Sequence, residues 1–424
     1  MSTSKSSEDI PAPEKSSSRS NVAVLAIAQG LFTAAIAIDL TLTGLTGYQL
    51  APDKSLATLP FALITVAGAI ATYFASTLMQ KIGRRRGFVL GAFTCAIGGS
   101  ISVWAVFLNS FWLFCIGTAA VGIFQAFAQY YRLAATDSEP DDRKARAISL
   151  VLAGGVIAAI LGPLLASWST NLFATLFAGS YLMVCLLGIA SAALLWLGYE
   201  DELPESLELH GHEQPPRKLL TIFRQPVSLA ALANNVIGGV VMMFIMTATP
   251  LAAVASNHSI NDGASIIQWH LVGMYAPSLF AGRLISRFGL PSILFLGIAL
   301  SAACGLIAHC SDSLAAFYIA LLFLGVGWNF MFVGGTVLLT ASHHPSEKAR
   351  VQGVAEFIRY TFTAFATLAA GPLLQSLGWK GMNDMIFPLL AVCAVITLWW
   401  VCIERRIKNA TSEHVSGSEN RSAT

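Results

Sequence analysis

Long apolar segments separated by short polar ones are the main pattern along this chain. Each apolar run is roughly 20 residues or longer, which is enough for a helix to cross a hydrocarbon core about 30 Å thick. Twelve spanning helices are predicted, with approximate bounds 21–46, 57–79, 88–108, 111–131, 147–167, 172–197, 227–252, 263–281, 290–309, 314–341, 351–376 and 383–403. The pattern therefore predicts an all-α integral membrane protein.

A short basic turn between two apolar segments occurs twice. The first copy is Ser76–Phe88, STLMQKIGRRRGF, and the second is Gly282–Gly289, GRLISRFG. The glycines that allow the chain to reverse direction, Gly83 and Gly289, are 206 residues apart. The residues predicted to form this conformational turn are Gly83, Arg84, Arg85, Gly282, Arg287 and Gly289. A repeat half a chain later predicts two pseudo-symmetric six-helix bundles.

The polar segments divide the chain into five regions. These are an N-terminal tail (1–20), a six-helix bundle (21–198), a linker (199–225), a second six-helix bundle (226–404) and a C-terminal tail (405–424). Both tails are polar and lack an apolar core, so we expect them to be disordered. The linker is polar and rich in acidic residues. Its end, Arg217–Arg224, is expected either to lie as a short amphipathic helix on the inner leaflet or to be part of a solvated tether.

Composition and charge support a membrane location. Of the 424 residues, 55% are hydrophobic and 11% are charged, whereas about a quarter of the residues of a soluble protein are charged. Basic residues are concentrated in alternate loops, and the opposite loops contain only Lys54 and Lys380. Because basic loops stay in the cytoplasm, both termini are predicted to be cytoplasmic. Short loops favour the inner membrane of a bacterium, with the lipid bilayer as the surrounding partner.

Two six-helix halves joined by a linker resemble the major facilitator superfamily, over the whole transmembrane chain. The quoted turns are similar to its signature, Gly-x-Leu-Ala-Asp-Arg-x-Gly-Arg-(Arg/Lys). The acidic position of that signature is Gln80 in the first copy and Ser286 in the second, and Ser76 occupies its first glycine. In the family this acid helps to latch the inside-closed state against the eleventh helix, so the resemblance implies a latch of neutral hydrogen bonds here. It also implies a monomeric secondary transporter.

Ionisable residues inside the predicted spans are the first candidates for function, because burying a charge in a membrane costs free energy. The proton-coupling candidates are Asp39, His270, Glu356 and Arg359. Asp39-Leu40-Thr41 resembles the Asp-x-Thr of a first-helix motif in drug/proton antiporters; the alternative is an acid near a widening vestibule. Glu356 and Arg359 are spaced to pair, either as a switch or as a permanent structural pair. His270 either titrates or donates to a neighbouring carbonyl.

Amide and aromatic side chains in the fourth, seventh, eighth and tenth predicted helices are candidates for lining a substrate cavity. They are Gln125, Gln129, Asn234, Asn235, Gln268, Trp269, Trp328 and Asn329. Aromatic rings stack on a planar solute while amides fix its orientation, which favours a neutral or aromatic small-molecule substrate. Hydrogen bonding between helices is the alternative role for these residues.

Other classes of function lack their motifs in this sequence. There is no G-x-x-x-x-G-K-[ST] loop for direct ATP coupling, and no set of residues for a nucleophilic or metal-dependent enzyme. The seven cysteines form no C-x-x-C pair, so we expect packing thiols and no metal site. Basic residues follow membrane topology and do not form a nucleic-acid face. We therefore expect no enzyme, no cofactor and no nucleic-acid partner.

The sequence as a whole predicts proton-coupled secondary active transport of a small organic solute by alternating access. Gly154-Gly155 with Gly162-Pro163 resembles a fifth-helix motif of antiporters, and with the first-helix motif it favours export. Uptake of a nutrient or vitamin, such as a riboflavin-like solute, is the alternative. A membrane sensor or interaction protein that does not transport is a second alternative.

Overall fold

The structure, a computed structural model, describes residues 16–137, 139, 144–201, 217–344 and 347–422. These residues form helices and turns, and they contain no β-strand. The α-helices in chain order are α1 (Ser16–Leu50), α2 (Leu59–Ile82), α3 (Arg84–Phe107), α4 (Phe111–Ala128), α5 (Tyr131–Asp137), α6 (Lys144–Ser169), α7 (Ala178–Gly198), α8 (Leu219–Phe223), α9 (Pro226–Ala255), α10 (Ile260–Tyr275), α11 (Ser278–Phe288), α12 (Leu290–Cys310), α13 (Leu314–Ala341), α14 (Lys348–Asp384) and α15 (Ile386–Ser422). A short 3-10 helix, Lys54–Leu56, precedes α2.

The described residues contain ten stretches that are long and apolar enough to cross a membrane. One of them, Arg350–Arg406, holds both α14 and α15. The predicted span 263–281 is divided into α10 and α11 at Ala276–Pro277. Proline supplies no N–H there, and Asn329 of α13 donates to the carbonyl of Met274 just before the break. With these two cases counted, a helix lies at each of the twelve predicted spans.

The first and last helices are longer than the predicted spans. Residues 16–20 and 405–422, which we predicted as parts of two disordered tails, are helical. No proline interrupts α1, and none follows Pro388 in α15, so the backbone continues each helix past its apolar segment. The remainder of the N-terminal tail, 1–15, and most of the predicted linker, 202–216, lie outside the described residues.

The two basic turns have nearly the same backbone conformation. Gly83, between α2 and α3, has φ 87° and ψ 158°, and Gly289, between α11 and α12, has φ 82° and ψ 148°. L-amino acids with a side chain rarely adopt this conformation, so glycine is required at both places. The side of the molecule that carries these two glycines is called the turn side below, and the other the far side.

Each half of the chain has its own apolar core. One core, within α1–α7, includes the fully buried side chains of Phe124 and Tyr181. The other, within α9–α15, includes Phe317 and Met331. Helices α1 and α6 pack together in the first half and α9 and α13 in the second, so each half is a separate helix bundle.

Contacts between the halves lie at the middle of the molecule and on the far side. Helix α2 packs against α14, and α6 packs against α10. On the far side, the N–H of Gly371 donates to the hydroxyl of Thr58 over 3.0 Å. At the middle, an apolar cluster joins side chains of both halves, and Trp328 packs against its edge. The buried members of this inter-half cluster are Ala37, Leu40, Phe61, Ile64, Ala159, Met242, Met246, Ile267, Leu271 and Met274.

Candidate functional site

One face of α14 shows that the space between the halves widens towards the turn side. At about 100° per residue, Gly353, Glu356, Tyr360, Thr367 and Gly371 lie within about 60° of one another around the helix. A Cβ at Gly353 would meet no atom within 4 Å, whereas one at Gly371 would lie 2.5 Å from the Thr58 hydroxyl. Between these ends, the exposed fraction falls from 45% at the Glu356 side chain to 6% at Tyr360 and 0% at Thr367. The space is therefore open on the turn side and closed on the far side.

An ion pair surrounded by aromatic rings lies on this face. The Nε of Arg359 donates to Oε2 of Glu356 over 3.0 Å, and its Nη2 donates to the same oxygen. The guanidinium carbon lies 4.3 Å from the ring centroid of Tyr360 and 5.6 Å from that of Phe332. The rings of Phe332 and Trp328 are stacked, with centroids 4.9 Å apart and planes 12° apart. We call these five residues the aromatic–arginine cluster.

Three helices position the aromatic–arginine cluster. Trp328 and Phe332 are one turn apart on α13, which brings their rings together. On α9, Gly239 lies beside the arginine: a Cβ there would contact Cγ of Arg359 at 3.6 Å and Cγ2 of Thr363 at 3.1 Å. The side chain of Arg359 is 14% exposed. Its carboxylate partner and the facing rings compensate the charge, which lowers the cost of burying it.

Nε1 of Trp328, in the aromatic–arginine cluster, is one of several buried polar atoms without a hydrogen-bond partner among the described residues. Oδ1 of Asn235, on α9, is another, and it faces Gly335 of α13. Buried donors and acceptors are almost always satisfied in folded proteins, by protein or by water. A bound solute or an ordered water can therefore form the missing bond at Nε1 of Trp328.

Three of the predicted site residues instead hold helices together. The amide nitrogen of Asn234 donates to the hydroxyl of Thr397 on α15 over 2.9 Å. That of Asn329 donates to the carbonyl of Met274 over 2.6 Å. The Nδ1 of His270 lies 2.7 Å from the carbonyl oxygen of Leu321 and donates to it when that nitrogen carries the proton. These contacts match the helix-bonding alternative.

The remaining cavity candidates lie apart from the cluster. Gln125, on α4, and Gln129, directly after it, are partly exposed. Oε1 of Gln129 accepts a hydrogen bond from Arg132 over 3.2 Å. Gln268 is partly exposed on α10. Trp269 is 50% exposed and, at about 100° per residue, lies on the face of α10 opposite Leu271 of the inter-half cluster. The structure therefore does not bring Trp269 together with Trp328.

Asp39 lies within the first half and is fully buried. Its Oδ1 accepts a hydrogen bond from Thr43 over 3.3 Å, and Tyr181 of α7 donates to Thr43 over 3.3 Å. Its Oδ2 has no partner, and no described basic side chain forms an ion pair with it. Asp39 has no contact with solvent in this structure, so it does not line an open vestibule here, and its role stays a prediction.

The first basic turn is bound by a residue that sequence reasoning missed. Asp201, which follows α7, accepts a hydrogen bond from the backbone N–H of Arg85 over 2.8 Å. The Arg85 side chain donates to the carbonyl of Trp196 and lies over its ring at 4.9 Å. In the second copy, a Cβ at Gly282 would meet no atom within 4 Å. The predicted latch through Gln80 stays a prediction, because that side chain lies outside the described residues.

Phe332 and Tyr360 were also missed, although the sequence contains a signal for both. Phe332 is four residues after Trp328, and Tyr360 follows Arg359 directly. Aromatic residues one turn from a predicted cavity residue, or next to a buried cation, stabilise that cation in a membrane. Asp201 carries no such signal, because it is 116 residues from the turn that it contacts.

Comparisons with known proteins agree on one family. The family model of the Major Facilitator Superfamily matches residues 22–277 and 236–422. The Riboflavin transporter RfnT of Brucella anthropi is 39% identical over 386 residues, which cover 90% of this chain and 96% of that protein. The uncharacterized MFS-type transporter YddS of Bacillus subtilis is 27% identical and covers 82% of this chain and 84% of its own length. The human organic anion transporter MFSD10 (TETRAN) has the same fold, with a TM-score of 0.65 at 13% identity over 90% of this chain and 100% of that one.

Proposed function

Because the chain belongs to the Major Facilitator Superfamily, we propose that it transports a small planar solute, with riboflavin as the first candidate. The observation that carries this proposal is the aromatic–arginine cluster in the space between the halves. Stacked rings of Trp328 and Phe332 suit the face of a planar heterocycle, and stacking of this kind contributes about 1–3 kcal/mol per ring. A relative 39% identical over 90% of the chain is a riboflavin transporter, which supports the same solute class.

We propose inward transport, which was the alternative to export. The prediction of export depends on two short motif fragments, around Asp39 and around Gly162-Pro163. Likeness to a riboflavin transporter extends over nearly the whole chain, so it is the stronger indication of the solute, and uptake is the alternative that names a riboflavin-like solute. Proton coupling through Asp39 remains part of the proposal, because ionising a buried carboxyl group without a cationic partner is costly, so gain or loss of its proton can change the packing around it.

The solute is tested by flavin transport into proteoliposomes that contain the purified protein, with flavin fluorescence as the measurement. Trp328→Leu removes one ring of the Trp328–Phe332 stack. Trp269→Leu, the control, removes a ring on the face of α10 that points away from the inter-half cluster. We expect the first change to raise KM for riboflavin about tenfold, which corresponds to about 1.4 kcal/mol of lost stacking. The second change should leave KM unaltered.

Two outcomes would contradict parts of this proposal. If the wild-type protein neither binds nor transports riboflavin, the proposed solute is wrong. If riboflavin is transported and both tryptophan variants behave alike, the solute stands and the aromatic–arginine cluster is not its binding site. Growth of a riboflavin-auxotrophic bacterial strain on low riboflavin, with and without the protein, decides between uptake and export.

A further inference from the structure

The ion pair of the aromatic–arginine cluster presents unused hydrogen-bonding groups to the space between the halves. Both bonds from Arg359 end on Oε2 of Glu356, and Oε1 accepts no hydrogen bond from the described residues. A guanidinium has five N–H groups, so further donors remain after these two bonds. The pair therefore offers an anionic acceptor next to a cationic donor.

The pair is also accessible from the turn side. The side chain of Glu356 is 45% exposed, although it lies within a predicted span. Around α14 it lies about 20° from Thr363 and about 60° from Gly371. Thr363 contacts Gly239 of α9, and Gly371 contacts Thr58 of α2. Glu356 therefore points between α9 and α2, which belong to different halves, and not towards lipid.

We infer that Glu356 and Arg359 together recognise an imide or ureide edge, in which a ring N–H lies beside a ring carbonyl. This inference rests on the proposed function and names the part of the solute that the pair binds. The ring N–H would donate to Oε1 of Glu356, and the neighbouring carbonyl would accept from the guanidinium of Arg359. Paired donor–acceptor contacts of this kind discriminate between otherwise similar planar rings.

The negative charge of Glu356 and the nearby rings favour a neutral solute edge over a free anion. Arg359 is already neutralised by Glu356, so a carboxylate or phosphate approaching it also meets the negative charge of Glu356. A neutral edge meets no such repulsion, and its ring can lie against Trp328 and Phe332. The unpartnered Nε1 of Trp328 adds a further donor for a carbonyl or ring nitrogen of the same solute.

The test compares binding of riboflavin and N3-methylriboflavin to the purified wild-type protein, by quenching of tryptophan fluorescence. The methyl group replaces the imide proton and leaves the ring area intact. We expect N3-methylriboflavin to bind at least about tenfold more weakly, because the Glu356 acceptor loses its donor. An 8-ethyl flavin, which adds a carbon at the opposite end of the ring, controls for size and should bind within about twofold of riboflavin.

A variant then assigns this preference to the pair. Glu356→Met removes the acceptor, and we expect the preference for riboflavin over N3-methylriboflavin to fall towards one. Because Arg359 without its partner is an unpaired charge, the double variant Glu356→Met/Arg359→Met serves as a second form with the same expected loss of preference. The comparison of two ligands on the wild-type protein does not depend on either variant being stable.

Each outcome separates this inference from the proposed function. Equal binding of riboflavin and N3-methylriboflavin would overturn the recognition of an imide edge and leave flavin transport standing. Absence of binding by any flavin would instead overturn the proposed function. Tighter binding of riboflavin 5′-phosphate than of riboflavin, abolished by Arg359→Gln, would show that the arginine binds an anion and would also overturn the inference.

Discussion

Two glycines of the repeated basic turn differ in what surrounds them. Gly83 has φ 87°, and a Cβ there would lie 2.6 Å from Oδ2 of Asp201. Gly282 lies within α11, where a Cβ would meet no atom within 4 Å. The same substitution therefore has opposite consequences at the two positions of one sequence motif.

We expect Gly83→Ala to destabilise the protein by about 1–3 kcal/mol, because alanine is strained in this conformation. Gly282→Ala should stabilise it by about 0.5–1 kcal/mol, because alanine favours the helix more than glycine does. The measurement is the thermal unfolding midpoint of the detergent-purified protein. Similar shifts for both variants would show that the local backbone does not control stability at this turn.

Residues of the same type, predicted from the sequence to share one role, have different partners in the structure. Asn234 and Asn235 are predicted as equivalent cavity residues. The Oδ1 atoms of both lack a partner among the described residues, but Nδ2 of Asn234 donates to Thr397 of α15. Trp269 and Trp328 are likewise predicted to line one cavity. Trp269, on α10, is half exposed, whereas Trp328, on α13, packs against the inter-half cluster. Residue type predicted that these side chains need partners. Their partners depend on helix rotation and packing, which the sequence does not specify.

At the scale of elements, the end of the linker, at Arg217, is bound to the loop between α13 and α14. The Nε and Nη2 of Arg217 donate to the two carboxylate oxygens of Glu347 over 2.9 and 2.7 Å. The N–H of His344 donates to the same carboxylate over 3.0 Å. The Arg217 guanidinium holds the pKa of Glu347 well below its usual range, and the backbone N–H groups act in the same direction.

This lowered pKa gives a pH dependence of known sign. A carboxylate whose pKa is lower in the folded state stabilises the fold above its ordinary pKa, about 4.3, and this contribution is lost as the pH falls below that value. We therefore expect Glu347→Gln to lower the unfolding midpoint at pH 7. The difference from wild type should shrink as the pH is lowered from 5 to 3.

The matched control for this contact is Asp312→Asn. Asp312 lies 3.9 Å from Lys380, and both side chains are about half exposed, so the pair is expected to contribute little at any pH. A constant difference between wild type and Glu347→Gln from pH 7 to pH 3 would mean that the ionised carboxylate is not the stabilising form.

Helix positions were predictable from the sequence, but breaks within them were not. Pro163, Pro250 and Pro372 lie inside helices that continue past them, whereas Pro277 separates α10 from α11. At this break, Asn329 of α13 donates to the carbonyl of Met274. A neighbouring helix thus satisfies a group that the broken helix leaves free, and such a partner is visible only after folding.

At the scale of the whole molecule, transport requires the closed far side to open. The contact between Thr58 and Gly371 joins the halves there, so in the proposed transport by alternating access we expect it to break while the turn side closes. Asp39 lies in the core of the first half and not in the space between the halves. A proton on Asp39 would therefore act on helix packing within one half and not directly on the solute.

This location makes a specific prediction for Asp39→Asn. We expect the variant to exchange riboflavin across proteoliposomes at equal concentrations, because the binding cluster is intact. It should lose accumulation driven by an imposed pH gradient, because the side chain of asparagine cannot take up and release a proton as a carboxyl group does. Flavin flux and an internal pH-sensitive dye are measured together. Accumulation and proton flux equal to wild type would remove Asp39 from the coupling mechanism.

The contact between Asp201 and the first turn bears on how such turns are recognised in other sequences. The carboxylate that binds this turn is supplied from a position 116 residues away from Arg85. A pattern written along one continuous stretch finds Gln80 where it requires an acid and scores the turn as degenerate. A search for an acid directly after the sixth predicted span, α7 here, together with the glycine and arginines of the turn, would identify the carboxylate of Asp201. Motif conservation in such chains is better judged in space than along the sequence.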